Sequence, residues 1–411
     1  MTPTPTTTPR TTGVPPGAGS SASRQHTLRE RNLRLVARAI YEAAPPPSGT
    51  TPPSRADVAA ATGLTRATVS TLVDHLVAAR LVAELAPTSS QRAGRPAVPL
   101  VPARRTVVGL GLEVNVDYLG VRALDLAGDV VADAVERGAF HDSDPAGVLG
   151  RLGALAADVV TRLEAEGMRV AGARLALPGL VDARTGELEV APNLGWSSLD
   201  PVGLLGLGAL PVHVANEAKL AALAELAGEV PPSFLYVSGD VGIGAGIVVD
   251  RSLFLAERGW NGEVGHVVVD PAGPRCSCGA RGCLEQYAGK EAVLRAAGLP
   301  LDAPLGALVA AIEADDDGAR DALHRAGRAL GSALADFVNL TGVSTVVLGG
   351  VYTELEPWLR DAVLAVLRER VLAAPFVELD VRAARAGQHA ALSGGAREVL
   401  REVVADPVAW G

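Results

Sequence analysis

All three cysteines of the 411-residue chain, Cys276, Cys278 and Cys283, fall within eight residues, and His266 stands ten residues before the first of them. Three thiols and one imidazole make a complete tetrahedral shell, so this spacing predicts a structural Zn2+ that ties residues 266–283 around one point. Four protein ligands leave no open position for water, which argues against a catalytic metal. Thiolates two residues apart can face one ion only from a turn, and Gly279 and Gly282 supply it. An odd cysteine count packed this closely argues against a disulfide framework and for a reducing compartment. Carboxylates Glu263 and Glu285 bracket the loop, as in a rigid frame that aims polar groups at a small ligand.

A chain of this length exceeds one ordinary core, and two or three domains are expected. With 48% hydrophobic but only 3% aromatic residues, Ala, Val and Leu must do most of the packing. The net charge of −9 conceals an asymmetry. Residues 24–105 carry 12 arginines against 5 acidic side chains, whereas residues 106–411 carry 24 basic against 41 acidic ones. A basic module on an acidic body fits a polyanion-binding segment joined to a domain of another kind. Only two lysines occur, Lys219 and Lys290. No apolar run approaches the roughly 18–20 residues of a membrane span, and the N-terminus lacks the apolar stretch of a signal peptide. No membrane partner and a cytoplasmic location are therefore expected.

Residues 1–23, almost all Thr, Pro, Gly and Ser, are expected to form a disordered tail. A helix over 24–42 would place Leu28, Leu33, Val36 and Ile40 on one side. Ser54 then caps a short helix that ends at Thr62-Gly63, and a second helix carries Val69, Leu72, Val73, Leu76 and Val77 as an apolar stripe. Its N-terminal polar face shows Arg66, Thr68, Ser70 and Thr71. Two short strands follow around a basic tip that holds Arg92 and Arg95. The whole of 24–102 reads as a winged helix-turn-helix that binds double-stranded DNA. From Thr106 the pattern becomes two successive βββαβα-like units, which predicts two similar α/β lobes with a cleft between them. The stretch Asp240-Val241-Gly242-Ile243-Gly244-Ala245-Gly246 is expected to be a glycine-rich turn.

Gly265-His266 with Cys276-x-Cys278-Gly279-x-x-Gly282-Cys283-x-Glu285 resembles the signature of the ROK family, which joins repressors, open reading frames and sugar kinases. Pro178-Gly179-Leu-Val-Asp182, Ala191-Pro192-Asn193-Leu-Gly195-Trp196 and Asn216-Glu217-Ala-x-x-Ala221-Ala222 resemble further family segments in the family's order. The resemblance covers about 106–404, and a winged helix before it matches the family's branch of sugar-responsive repressors. It implies a two-lobed actin-like, hexokinase-type (RNase H-like) fold. Residues 103–230 would be lobe 1, with a C-terminal helix over 390–405 packing back on it, and residues 231–389 would be lobe 2 with the zinc loop. The implied sugar contacts are Asn193, Asn216, Glu217, Glu263, His266 and Glu285.

Three departures separate this sequence from the family's kinases. Glu113-Val-Asn115-Val-Asp117 stands where the first phosphate loop reads Asp-x-Gly-Gly-Thr, and Asp240-Val-Gly242-Ile-Gly244 where the second reads Gly-Thr-Gly-x-Gly. Glu217 stands at the position of the catalytic Asp. Gly349-Gly350 remains where the family binds adenosine. The expectation is a sugar-responsive transcriptional regulator, a repressor without kinase activity, acting as a homodimer or dimer of dimers on a palindromic operator. The rivals are an ATP-dependent sugar kinase carrying a DNA-binding domain and, more weakly, a zinc sensor.

Overall fold

The computed structural model describes residues 19–43, 51–87, 97–240 and 242–410. The tail over 1–18 and the wing tip with Arg92 and Arg95 lie outside the described residues. Helix α1 spans Gly19–Glu42, so residues 19–23, read from composition as tail, belong to a helix. Serine and alanine are acceptable in a first helical turn, and the Thr/Pro run that opposes a helix ends before them.

Helices α2 (Arg55–Thr62) and α3 (Arg66–Ala78) form the expected helix-turn-helix. Ser54 and Asp57 make a reciprocal capping box at the start of α2, and Gly63 ends it at φ +70°, a conformation that favours glycine. Val36, Ala37 and Ile40 of α1 pack against Val58, Val69, Leu72, Val73 and Leu76. Leu28, expected on that same face, is 56% exposed, because it lies two turns before the part of α1 that reaches this core. Strands β1 (Val82–Glu84) and β2 (Leu100–Pro102) pair antiparallel. The Leu100 N–H donates to the carbonyl of Pro53 at 2.8 Å, tying this pair to the entry of α2.

Lobe 1 contains β3 (Val107–Val114), β4 (Tyr118–Asp125), β5 (Val130–Arg137), α4 (Pro145–Ala165), β6 (Arg169–Leu177) and the small sheet β7 (Leu180–Val181), β8 (Leu188–Ala191), β9 (Trp196–Leu199). It continues through α5 (Pro201–Leu205) and β10 (Val212–Asn216) to α6 (Glu217–Glu225). Its main sheet runs β10-β6-β3-β4-β5, an antiparallel meander extended by two parallel strands. Lobe 2 repeats the plan with β11 (Phe234–Gly239), β12 (Ile243–Val249) and β13 (Ser252–Leu253). After the cysteine loop come α7 (Glu285–Ala288), α8 (Lys290–Ala296), α9 (Leu305–Glu313), α10 (Asp317–Thr341), β14 (Thr345–Gly350), α11 (Tyr352–Arg370) and β15 (Asp380–Ala383). The order β13-β12-β11-β14-β15 is the same topology as in lobe 1. Helix α12 (Ala390–Ala405) then returns to lobe 1.

One feature corrects the sequence reading, and another adds a packing reason to it. Gly244 and Gly246 are not in a turn; they lie in β12, paired with β11. A Cβ on Gly246 would stand 2.5 Å from Cβ of Ala222, so glycine there lets α6 lie flat on the strand. Gly244 and Gly246 therefore serve the close approach of α6 and do not mark a turn. The reading of Gly349-Gly350 as a nucleotide contact meets a packing reason of the same kind. A Cβ on Gly349 would stand 2.1 Å from the Tyr236 hydroxyl, and Gly350 has φ +59°.

Helix α6 is buried from Ala218 to Glu225 and packs between the two sheets, in contact with both lobes. The core of the helix-turn-helix does not close on itself. Val107, Leu124, Leu126, Ala396, Leu400 and Val403 belong to the same apolar cluster, so the boundary at 102/103 runs through shared core. Among the described residues no helix is long and apolar enough to cross a membrane.

Candidate functional site

The loop after β12 brings His266, Cys276, Cys278 and Cys283 together, with their ligand atoms all within 4.8 Å of one another. Cys278 and Cys283 Sγ lie 3.6 Å apart, and Cys276 Sγ lies 3.7 Å from His266 Nδ1. A tetrahedral zinc with ordinary bond lengths requires about 3.8 Å between sulfurs and about 3.6 Å between sulfur and nitrogen. The donor set and its spacing fit. Gly282, at φ +69°, is the tight point of the loop, since a Cβ there would stand 1.6 Å from the carbonyl oxygen of Asp270. Nδ1 of His266 faces the thiols, which leaves Nε2 for another partner.

The same loop sets the lobe 2 wall of the cleft. The His266 ring lies among the charges of Glu263 and Glu285. From lobe 1, Asn193 reaches the same place: a methyl on Gly242 would stand 3.0 Å from Glu285 Oε2 and 3.3 Å from Asn193 Nδ2. Asn193 sits on a 3-10 turn held by Trp196, whose indole N–H donates to the carbonyl of Ser143 at 2.8 Å. Outside this contact a cavity of about 280 Å³ opens between the lobes, lined by His141, Asp142 and Asn193 on one side and Ser277, Glu285 and Arg295 on the other.

Asn216 and Glu217 stand where β10 turns into α6. Asn216 caps the helix, its Oδ1 accepting from the N–H groups of Ala218 and Lys219. Its amide donates to the carbonyl of Gly179 at 3.2 Å and to Glu217 Oε2 at 2.8 Å. Asn216 is therefore fully engaged by the protein and acts first as an anchor for Glu217 and the Pro178-Gly179 loop. Burial raises the Glu217 carboxyl well above the usual range, and Glu263, Glu113 and Asp240 add to the rise.

Five cleft residues were not singled out as contacts from the sequence. Glu113 is only 3% exposed and its Oε2 has no partner. Asp240 is pushed up to about 6 by burial and by Asp117. Tyr118 faces Glu113, Asp240 and Glu217. Lys219, 4% exposed, faces Glu263 and Glu217, and Lys290 faces Asp240. Both lysines of the chain thus sit against cleft carboxylates, and their rarity beside so many arginines was the available signal.

Residues 148–402 match the model of the ROK family. The chain belongs to the ROK family. It is similar to the xylose repressor of Bacillus spizizenii, 28% identical over 352 residues that span 84% of this chain and 89% of the repressor. Among solved structures it is similar to a ROK family transcriptional regulator homologous to Escherichia coli Mlc, with 28% identity, a TM-score of 0.75, and coverage of 92% of this chain and 97% of that one. A ROK hexokinase from Thermus thermophilus matches with 28% identity and a TM-score of 0.59, covering 72% of this chain and 99% of the hexokinase. The two lobes are therefore the ROK kinase-type fold, and the regulator match extends over a larger share of the chain.

On α3, Arg66 and Thr71 are exposed, while Thr68 and Ser70 are half-buried. Thr65 caps α3 and its hydroxyl bonds that of Thr68 at 2.9 Å, and the Thr71 hydroxyl donates to the carbonyl of Ala67 at 3.2 Å. Arg66 is thus exposed, while the Thr68 and Thr71 hydroxyls are engaged within the helix. Arg55 braces the helix pair through Asp74 at 2.5 Å and Glu84 at 3.2 Å.

Proposed function

We propose that this ROK chain is a DNA-binding transcriptional repressor of carbohydrate genes whose affinity for its operator responds to a sugar held between the lobes. The observation that carries this reading is the shared core: side chains of the helix-turn-helix and of lobe 1 form one apolar cluster, so a change in the cleft lobe has a packed route to the DNA-reading element. The sugar contacts would be Glu217 and Asn193 from lobe 1 and Glu263, His266 and Glu285 from lobe 2, with Asn216 positioning Glu217. A bound Zn2+, held by His266, Cys276, Cys278 and Cys283, would stiffen the lobe 2 wall and fix the tautomer of His266. Sugar bridging the lobes would favour the closed cleft, a population shift in which operator affinity falls. Arg66, Thr68, Ser70 and Thr71 would read the major groove, and Arg92 and Arg95 the neighbouring backbone or minor groove. One such helix reads few bases, so a homodimer on a palindrome is the expected form, in the cytoplasm.

Kinase activity is not expected. Glu217 stands where the family's kinases carry the catalytic Asp, and burial raises its carboxyl, which disfavours the anion that would take a proton from a sugar hydroxyl. The relatives named as repressors support the same reading. Titrating xylose, glucose and N-acetylglucosamine into a complex of the full chain with a palindromic operator tests it. The expected result is a sugar-specific fall in DNA affinity; operator binding indifferent to every sugar, or brisk ATP turnover with one of them, would overturn it.

A further inference from the structure

The deepest part of the cleft carries an acidic group contributed by three elements: Glu113 at the end of β3, Asp240 in the β11–β12 turn, and Glu217 at the start of α6. By strand alternation Glu113 shares the face of Gly109 and Gly111, which packs on α12, and not that of Leu110 and Leu112 in the lobe 1 core. Its Oε2 is buried and accepts no hydrogen bond. An orphaned acceptor is satisfied by a donor, and a sugar hydroxyl can donate, whereas a phosphate dianion offers only acceptors.

Several backbone donors at this end of the cleft are already used within the described residues. The Asn115 N–H donates to the Tyr118 carbonyl at 2.9 Å, and the Asp117 N–H to Asn115 Oδ1 at 3.1 Å. The Asp240 N–H donates to the Gly242 carbonyl at 2.9 Å. Three N–H groups of the two turns are already spent, so no nest of free donors exists among them. The facing cations are also engaged. Arg122, toward Glu113, bonds Asp133 at 2.8 Å and the Ser393 hydroxyl at 2.9 Å; Lys290 opposes Asp240, and Lys219 opposes Glu217 and Glu263.

We propose that Glu113 and Asp240 form an acidic wall beside Glu217 that makes the cleft selective for uncharged sugars, so that the effector is an unphosphorylated monosaccharide and sugar phosphates are excluded. This rests on the sugar-responsive reading above and specifies which sugars satisfy it. Asp240 and, once ionised, Glu113 set like charge beside a phosphate in a partly desolvated site, which disfavours it relative to an uncharged sugar.

The test is binding of matched pairs to the zinc-loaded full chain by calorimetry: glucose with glucose 6-phosphate, N-acetylglucosamine with its 6-phosphate, and xylose with xylose 5-phosphate. For the pair that contains the effector, the free sugar should bind about 100-fold more tightly than its phosphate, or more. In the double variant Glu113→Gln, Asp240→Asn that ratio should shrink by about 10-fold. Each single variant, checked for its fold by circular dichroism, should shrink it in part. A phosphate that binds the wild-type chain as well as its free sugar would overturn the wall while leaving a sugar-responsive repressor intact. A ratio unchanged in folded variants would overturn the assignment to these residues. Silence toward both members of every pair would instead count against the sugar-responsive reading and, with it, the wall.

Discussion

Glu113 is pushed up to about 7, first by burial, with Asp240 adding to the rise while Tyr118 and Arg122 pull the other way. In an unfolded chain a glutamate titrates near ~4.3. The folded state therefore binds this proton more tightly, and its contribution to stability is complete below about pH 4 and is lost as pH rises through about 7. Asp240, pushed up to about 6, adds a loss of the same sign over a lower window. Unfolding in urea should show lower stability at pH 8 than at pH 5.5. Glu113→Gln should remove up to about 2 kcal/mol of that difference, since only the part of its rise between about pH 5.5 and about 7 falls within this window and one pKa unit corresponds to about 1.4 kcal/mol. A variant as steeply pH-dependent as the wild type would show that Glu113 ionises freely in the fold.

Helix α12 is the element that meets both ends of the molecule. At its start His389 packs edge-on against Tyr118 with ring centroids 4.6 Å apart, and Tyr118 faces the acidic group of the cleft. At its far end Leu400 and Val403 enter the helix-turn-helix core, and Asp406 pairs with Arg34 of α1 at 2.9 Å. Sixteen residues make a rod of about 24 Å. It can lie this close because Gly111 of β3 leaves room: a Cβ there would stand 1.8 Å from the carbonyl oxygen of Leu392. Leu400→Ala should cost about 2–4 kcal/mol and leave a gap between the rod and the head. Sugar affinity should hold while the sugar-induced change in operator affinity falls, read by pairing calorimetry with fluorescence anisotropy. Unchanged coupling in this variant would exclude α12 as the route.

At the scale of the whole molecule, the metal loop and the recognition helix lie in separate parts of the chain and should fail separately. Arg66→Ala removes an exposed side chain and should weaken operator binding by about 10-fold or more with sugar binding unchanged. Cys278→Ser breaks the ligand set at its exposed member and should lower bound zinc and the sugar-induced rise in melting temperature together, with DNA binding in the absence of sugar retained. Metal analysis and melting curves read the second variant. Loss of both functions in either one would mean that the two ends fold as a single unit.

The local rules were legible in the chain itself. Ser54 with Asp57, Gly63 and the apolar stripe of α3 act within a few residues, as does the clustering of His266 with the three cysteines, so spacing alone was sufficient to read them. The two lobes followed from alternating strand and helix periods, and the family signature named the cleft. Gly111, Gly246 and Gly349 answer to partners far along the chain, and no local pattern distinguishes such a glycine from a turn. The burial of Glu113, the placing of both lysines against acids, and the core shared by α12 and the DNA-reading head likewise depend on which surfaces meet. Short-range geometry is written in neighbouring residues, whereas desolvation and close approach exist only once the sheets and helices have packed.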